Sequence, residues 1–140
     1  AYGHQIIIDG QIVGYYMLYF KSIKPNEIHK IMDEEYESNM VDYYMAMHIR
    51  YLAIDKRVQH RGIGTIVLRG ILAEIIELSK KYPIRIITID ALTEYYDWYK
   101  NIGFKDIPGC ESDGIVHQMY IDCMTKKETE CLEEFCGQYN

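Results

Sequence analysis

The chain has 140 residues, 49% of them apolar and 26% charged, which suits one globular domain over residues 1–140 with its own core and excludes a fibrous, mostly disordered or two-domain protein. A formal net charge of -6 excludes a global attraction to phosphate backbones or anionic membranes, so a nucleic-acid partner would need a local basic patch. No apolar run reaches the roughly 20 residues of a membrane-spanning helix, and residues 1–9 lack the basic-then-apolar order of a signal peptide, so a cytoplasmic protein with no membrane partner is expected.

In chain order, Gln5 to Asp9 and Ile12 to Phe20 read as two extended runs joined at Asp9-Gly10, a strong hairpin signal. Lys21 to Met40 is polar and acidic, and Asn26 can cap a short helix from Glu27 to Glu37, an excursion out of the sheet. Tyr43 to Ile54 is apolar and aromatic without Gly or Pro and predicts a central strand. After Gly62-Ile63-Gly64, Leu68, Ile71, Ile75 and Leu78 fall on one helical stripe, and Pro83 stops that helix.

Ile84 to Ile89 predicts a second buried strand, and Thr93 a cap for a helix whose face carries Tyr95, Trp98, Tyr99 and Ile102 before Gly103 ends it. Phe104 to Ile107 and Val116 to Asp122 predict two last strands, and Thr125 to Phe135 a terminal helix. This order predicts an α/β (α+β) domain with one mixed, mainly antiparallel central sheet flanked by helices. Cys110, Cys123, Cys131 and Cys136 form no CxxC pair and read as free thiols. A zinc site from His117 and the last three of them has spacings foreign to common zinc patterns, so no metal is expected.

The segment Gln59-His60-Arg61-Gly62-Ile63-Gly64-Thr65 lies between a strand and an amphipathic helix, where the first backbone N–H groups of the helix have no internal partner. Glycines at 62 and 64 let a diphosphate approach those amides, the helix dipole favours its charge, and Arg57, Arg61 or Thr65 can add donors. A lone GxG serves a plain packing turn more often than a ligand. A Rossmann fingerprint would need a third glycine and a P-loop would need Gly-Lys-Ser/Thr, and both are absent.

Gln59-x-x-Gly62-x-Gly64 resembles the coenzyme A pyrophosphate signature of the Gcn5-related N-acetyltransferase superfamily, and Leu52-Ala53-Ile54-Asp55 resembles the end of that family's fourth strand. Asp90-Ala91 followed by Trp98-Tyr99-x-x-x-Gly103-Phe104 resembles its later block. The resemblance covers about Ile6 to Asp122. It implies acetyl-CoA as cosubstrate, with Leu52, Ala53 and Ile54 pairing with the pantetheine arm, and Arg57, Gln59, His60, Arg61, Gly62, Ile63, Gly64 and Thr65 at the diphosphate. It implies Tyr99 as the acid that protonates the departing thiolate, with Tyr96 as the alternative. Position alone, on an apolar stripe in a chain with 14 tyrosines, would favour packing for Tyr99. The implied reaction is direct attack of an amine on the thioester, with backbone N–H near Leu52 to Ile54 for the oxyanion; His48, Asp42 or a water can take the amine proton.

Ile12 to Leu18, Arg50 to Asp55 and Asp90-Ala91 further resemble the branch of acetyltransferase toxins of bacterial toxin–antitoxin pairs, which acetylates the free amine of aminoacyl-tRNA. That branch implies a small DNA-binding antitoxin as partner, a homodimer is compatible with it, and the acidic net charge disfavours tRNA. The chain starts at what would be the family's second strand, so the first strand and helix pair are expected to be missing. A degenerate module that binds acetyl-CoA without turnover is the alternative.

Overall fold

A computed structural model describes residues 2–23, 44–59, 62–107, 113–122 and 134–136. β1 (Tyr2–Ile8) and β2 (Gln11–Ile23) form an antiparallel hairpin. Its turn places Asp9 at φ 50° and Gly10 at φ 76°, and two successive left-handed residues give the turn twist that matches right-twisted strands. Both strands outrun the expected spans because each finds cross-strand partners: Tyr2 faces Leu18, and Lys21 to Ile23 face Ala46 to Tyr44 of β3 (Tyr44–Ile54).

A 3-10 turn at Lys56–Val58 leads to α1 (Ile63–Ser79), whose Leu68, Ile71, Leu72 and Ile75 are buried at the i, i+3, i+4, i+7 spacing of one helix face. They join Met47 and Ile49 of β3 and Ile87 and Ile89 of β4 (Ile84–Leu92) in one core. β4 continues three residues past the expected end at Ile89, since Asp90, Ala91 and Leu92 pair with Gln118, His117 and Val116 of β6 (Val116–Asp122).

Thr93 does not cap the next helix. Thr93–Tyr95 forms a 3-10 turn, the Thr93 hydroxyl donates to the Gly114 carbonyl at 3.0 Å, and α2 spans Tyr96–Ile102. Of Phe104 to Ile107 only β5 (Lys105–Asp106) pairs as strand; Phe104 turns into the core instead. The expected helix from Glu27 to Glu37 lies outside the described residues, as does the terminal one except for 134–136, which are helical. Phe135 there lies under the Arg69 guanidinium of α1, 4.9 Å from ring centroid. Cys136 is in no disulfide, and its thiol donates to the Arg69 carbonyl at 3.8 Å. Among the described residues no three metal-ligating side chains come together, and no helix is long and apolar enough to cross a membrane.

The sheet runs β1-β2-β3-β4-β6-β5 and is antiparallel except between β3 and β4. That parallel pair positions the site. Its ladder extends from Met45–Ile84 to Ile49–Ile89 and stops there, while β3 goes on to Ile54 and β4 to Leu92. The sheet therefore opens at the carboxyl ends of its two central strands.

Candidate active site

Three devices shape the β3 side of this opening. Tyr15 and Met17 of β2 face Ala53 and Arg50 of β3, so one residue of β2 opposes two of β3, Tyr51 and Leu52; this is a β-bulge. It re-aims the backbone where β3 has lost β4 as neighbour. Gly14 sits beneath the next rung: a Cβ added there would overlap the Ala53 carbonyl oxygen and lie 3.2 Å from the Ile54 Cα. Only glycine lets β2 come this close. Beyond the last rung the Asp55 amide donates to the Val13 carbonyl at 2.6 Å. Past Ile49 the edge of β3 that β4 has vacated is one with which a ligand's amide chain can pair.

The turn into α1 has the backbone geometry that can seat an anion. Gly62, at φ 75° and ψ 6°, is the N-cap residue and contributes no side-chain cap. The first intrahelical bond runs from the Ile66 amide to the Gly62 carbonyl at 3.2 Å, so the amides of Ile63, Gly64 and Thr65 precede the ladder at the positive end of a 17-residue helix. A Cβ on Gly62 would meet nothing within 4 Å, and one on Gly64 only the Ile54 Cδ1 at 3.6 Å. Among the described residues no atom crowds the Cβ position of Gly62 or Gly64 more closely than this, a feature that suits the approach of a bulky diphosphate.

The side chains assigned to the diphosphate behave differently. The Gln59 Nε2 donates to the Ile54 carbonyl at 2.7 Å, pinning the loop back onto β3 rather than reaching outward. Arg57 grips Asp55 through Nε at 3.1 Å and Nη2 at 2.7 Å, while its amide donates to the same carboxylate at 2.9 Å. These bonds hold the Asp55 carboxyl down at about 2. Both side chains thus shape the loop. His60 and Arg61 lie outside the described residues.

Tyr99 projects from α2 into the core beside Phe104, whose ring stands edge-on with centroids 5.7 Å apart, and Trp98, at 4.9 Å. Burial, with Tyr95 adding to it, pushes its phenol up to about 12. Tyr96, the alternative acid, donates its hydroxyl to Asp106 Oδ2, stacks on His117 at 4.2 Å and carries the Lys100 ammonium 5.3 Å over its ring. Tyr96 is bound up in a surface network, and Tyr99 is the phenol held in a dry setting.

A cluster on the opposite sheet face was not legible as such in the sequence. His48 pairs with Thr88 across the β3–β4 ladder, its Nδ1 lies 2.6 Å from the Thr88 Oγ1, and its Nε2 lies 3.3 Å from Asp90 Oδ2. Burial lowers the His48 pKa; Asp90 opposes that shift, and Lys21 and Arg50 add to it. The only sequence signal was a polar residue at alternating positions of two apolar strands 40 residues apart.

No protein-family model and no curated protein matches the chain. Among solved structures it is similar to a bacterial toxin, with TM-score 0.71 and 15% identity over 89% of this chain and 66% of that one. AtaT complexed with acetyl-methionyl-tRNAfMet superposes with TM-score 0.66 and 19% identity over 89% of this chain and 69% of that one. The chain has the Gcn5-related N-acetyltransferase fold. AtaTR bound with acetyl-CoA gives TM-score 0.63 and 17% identity over 93% and 70% of the two chains. This chain thus spans about two thirds of the length of the toxins it matches, 66% of the first. The acetyltransferase fold accounts for the parted parallel strands, and it brings the Gly62 turn and the segment leading to α2 to the same end of the sheet, since both follow the carboxyl ends of β3 and β4.

Proposed function

We propose that the chain is a cytoplasmic acetyl-CoA-dependent N-acetyltransferase that moves an acetyl group to a primary amine by direct attack on the thioester. The observation that carries this reading is the turn at Gly62–Thr65, whose amides precede the helix ladder, beside the end of β3 that β4 has left. The turn holds the diphosphate, and the edge of β3 past Ile49 that β4 leaves aligns the pantetheine amides. A backbone N–H near Leu52 to Ile54, beside the bulge, donates to the thioester oxygen, where a fixed donor is worth about 10²–10³ in rate. Tyr99 protonates the departing thiolate. Its raised pKa keeps the proton on the phenol until the negative charge of the leaving sulfur develops, and the same burial makes that thiolate a stronger base.

The assay is thiol release from acetyl-CoA across a panel of amines, with a thermal shift by acetyl-CoA as the binding control. Turnover that falls at least ~10²-fold in Tyr99→Phe with the thermal shift intact is expected. A shift without thiol release for any acceptor would leave a binding module in place of an enzyme.

One observation favours a more specific acceptor. AtaT is similar in fold and is seen complexed with acetyl-methionyl-tRNAfMet, so the α-amine of an aminoacyl-tRNA is the second reading, with a small antitoxin as partner, as for AtaT bound to the C-terminus of AtaR. The net charge of -6 weighs against it. Incubation with charged tRNA and acetyl-CoA, followed by a test for blocked α-amines, decides between the two.

A further inference from the structure

Resting on the acetyltransferase reading, we propose that Asp90, held in place by His48 and Thr88, receives the acceptor amine and takes the proton that its nitrogen gives up. The last rung between the parted strands is Ile49–Ile89, and Asp90 is the next residue of β4, the first beyond the ladder. Met47, Ile49, Ile87 and Ile89 belong to the core shared with α1, so strand alternation puts His48, Thr88 and Asp90 on the opposite face. A thioester laid into the gap from the α1 turn is open to a nucleophile from that face, and a carboxylate stands at the entrance. The Asp90 side chain is 42% exposed while that of His48 is 8% exposed.

The hydrogen bonds assign the roles. An ionised carboxylate only accepts, so the His48 Nε2 carries the proton directed at Asp90 Oδ2, and Nδ1 then accepts from the Thr88 hydroxyl. Both ring nitrogens are engaged, and His48 is a positioning residue. Lys21 of β2 and Arg50 of β3 act on the ring through space, and the Tyr19 ring lies against it at 5.0 Å. The bond to His48 uses Oδ2 and leaves Oδ1 to accept an N–H of the amine.

The proton count closes. An ammonium seated on Asp90 passes one proton to the carboxylate, which hands it to water on its exposed side. The neutral nitrogen then forms the C–N bond and loses its second proton by the same route; the C–S bond breaks, and Tyr99 protonates the sulfur and recovers its proton from water. The net reaction releases one proton. A carboxylate is a weak acceptor, so the substrate class is an amine that surrenders its proton readily. About one α-amino group in ten is neutral at pH 7, against roughly one lysine amine in 2,500.

The test uses methionine methyl ester as the α-amine probe with the full chain. Asp90→Asn keeps a carbonyl for the His48 N–H and removes the charge. It should lower kcat/KM for the ester by about 10²-fold while KM for acetyl-CoA stays within about twofold, and His48→Gln should lose about tenfold in the same ratio. Equal kcat/KM for the ester in Asp90→Asn and wild type overturns the proposal. If the ester is not turned over, the shift of the His48 imidazole NMR signal on adding it to the acetyl-CoA-saturated protein decides: a shift in wild type that Asp90→Asn abolishes supports the proposal, and no shift overturns it. The acetyl-CoA thermal shift, read in parallel, reports the enzymatic reading separately.

Discussion

Gly64→Ala should stabilise the free protein and weaken its hold on acetyl-CoA, two effects of opposite sign from one methyl group. Gly64 lies in the first turn of α1 with only the Ile54 Cδ1 near its missing Cβ, at 3.6 Å, an ordinary contact. The substitution removes glycine's freedom in the unfolded chain and raises helix propensity, together worth about 0.5–1 kcal/mol. Unfolding entropy of about 2.1 cal/mol/K per residue gives roughly 0.3 kcal/mol per degree for 140 residues. The melting temperature should therefore rise by about 2–3 °C. On the ligand side the methyl, carried by the second residue of α1, narrows the approach to the amides of Ile63 to Thr65. Loss of one charge-assisted bond from a backbone N–H to phosphate costs about 1.5–3 kcal/mol, a Kd increase of roughly 10- to 100-fold. At a concentration a hundred times the wild-type Kd, acetyl-CoA stabilises wild type by about 2.7 kcal/mol, or about 9 °C, and a variant with a hundredfold higher Kd by only about 0.4 kcal/mol. Differential scanning fluorimetry with and without acetyl-CoA measures both quantities. A variant that gains the same ligand shift as wild type would refute the assignment of this turn to the diphosphate.

Gly14→Ala should do the reverse to stability: its Cβ overlaps the Ala53 carbonyl, so β2 and β3 must separate at a cost of about 1–3 kcal/mol, and an unchanged melting temperature would show that this contact is not tight. His48 has a folded pKa lowered by burial, so below pH 6.5 the unfolded chain binds more protons than the folded one and stability falls on acidification through that window; urea titrations between pH 7.5 and 5 should show the slope in wild type and its absence in His48→Gln. Tyr99 is shifted the other way, to about 12, so its stabilising effect is complete below pH 10 and is lost as pH rises toward 12, by at most about 2–3 kcal/mol. Tyr99→Phe should show no such alkaline loss, and a tyrosine titrating near pH 10 in wild type, by ultraviolet difference spectra that Tyr99→Phe abolishes, would place the phenol in water.

What the sequence made legible was local. Asp9-Gly10 names its turn by chemistry, the spacing of Leu68, Ile71 and Ile75 names a helix face, and Gly62 marks the left-handed turn into α1. What it hid depends on which strands are neighbours. The length of β4 follows from Asp90 to Leu92 finding β6. The inward turn of Gln59 follows from the carbonyl of Ile54 lying within its reach. Thr93 looked like a cap until Gly114, 21 residues on, offered its carbonyl. His48, Thr88 and Asp90 are three ordinary residues until the parallel register places them side by side.

The parting of β3 and β4 is the feature from which the rest follows, and its causes can be named. β3 and β4 are the one parallel pair in an otherwise antiparallel sheet. Each has an antiparallel partner on its outer side that continues to the end, Gly14–Ile54 for β3 and Val116–Leu92 for β4. The outer ladders are therefore satisfied while the inner one is given up after Ile49–Ile89. The bulge at Tyr51–Leu52 adds local twist to β3 but none to β4, and it lies just past the last rung of the parallel ladder, so it widens the parting. Backbone groups freed in this way would be costly if buried without partners. On the proposed function, a ligand with its own amide chain would satisfy them, and this would be the physical reason for the proposed diphosphate turn to lie at this end of the sheet.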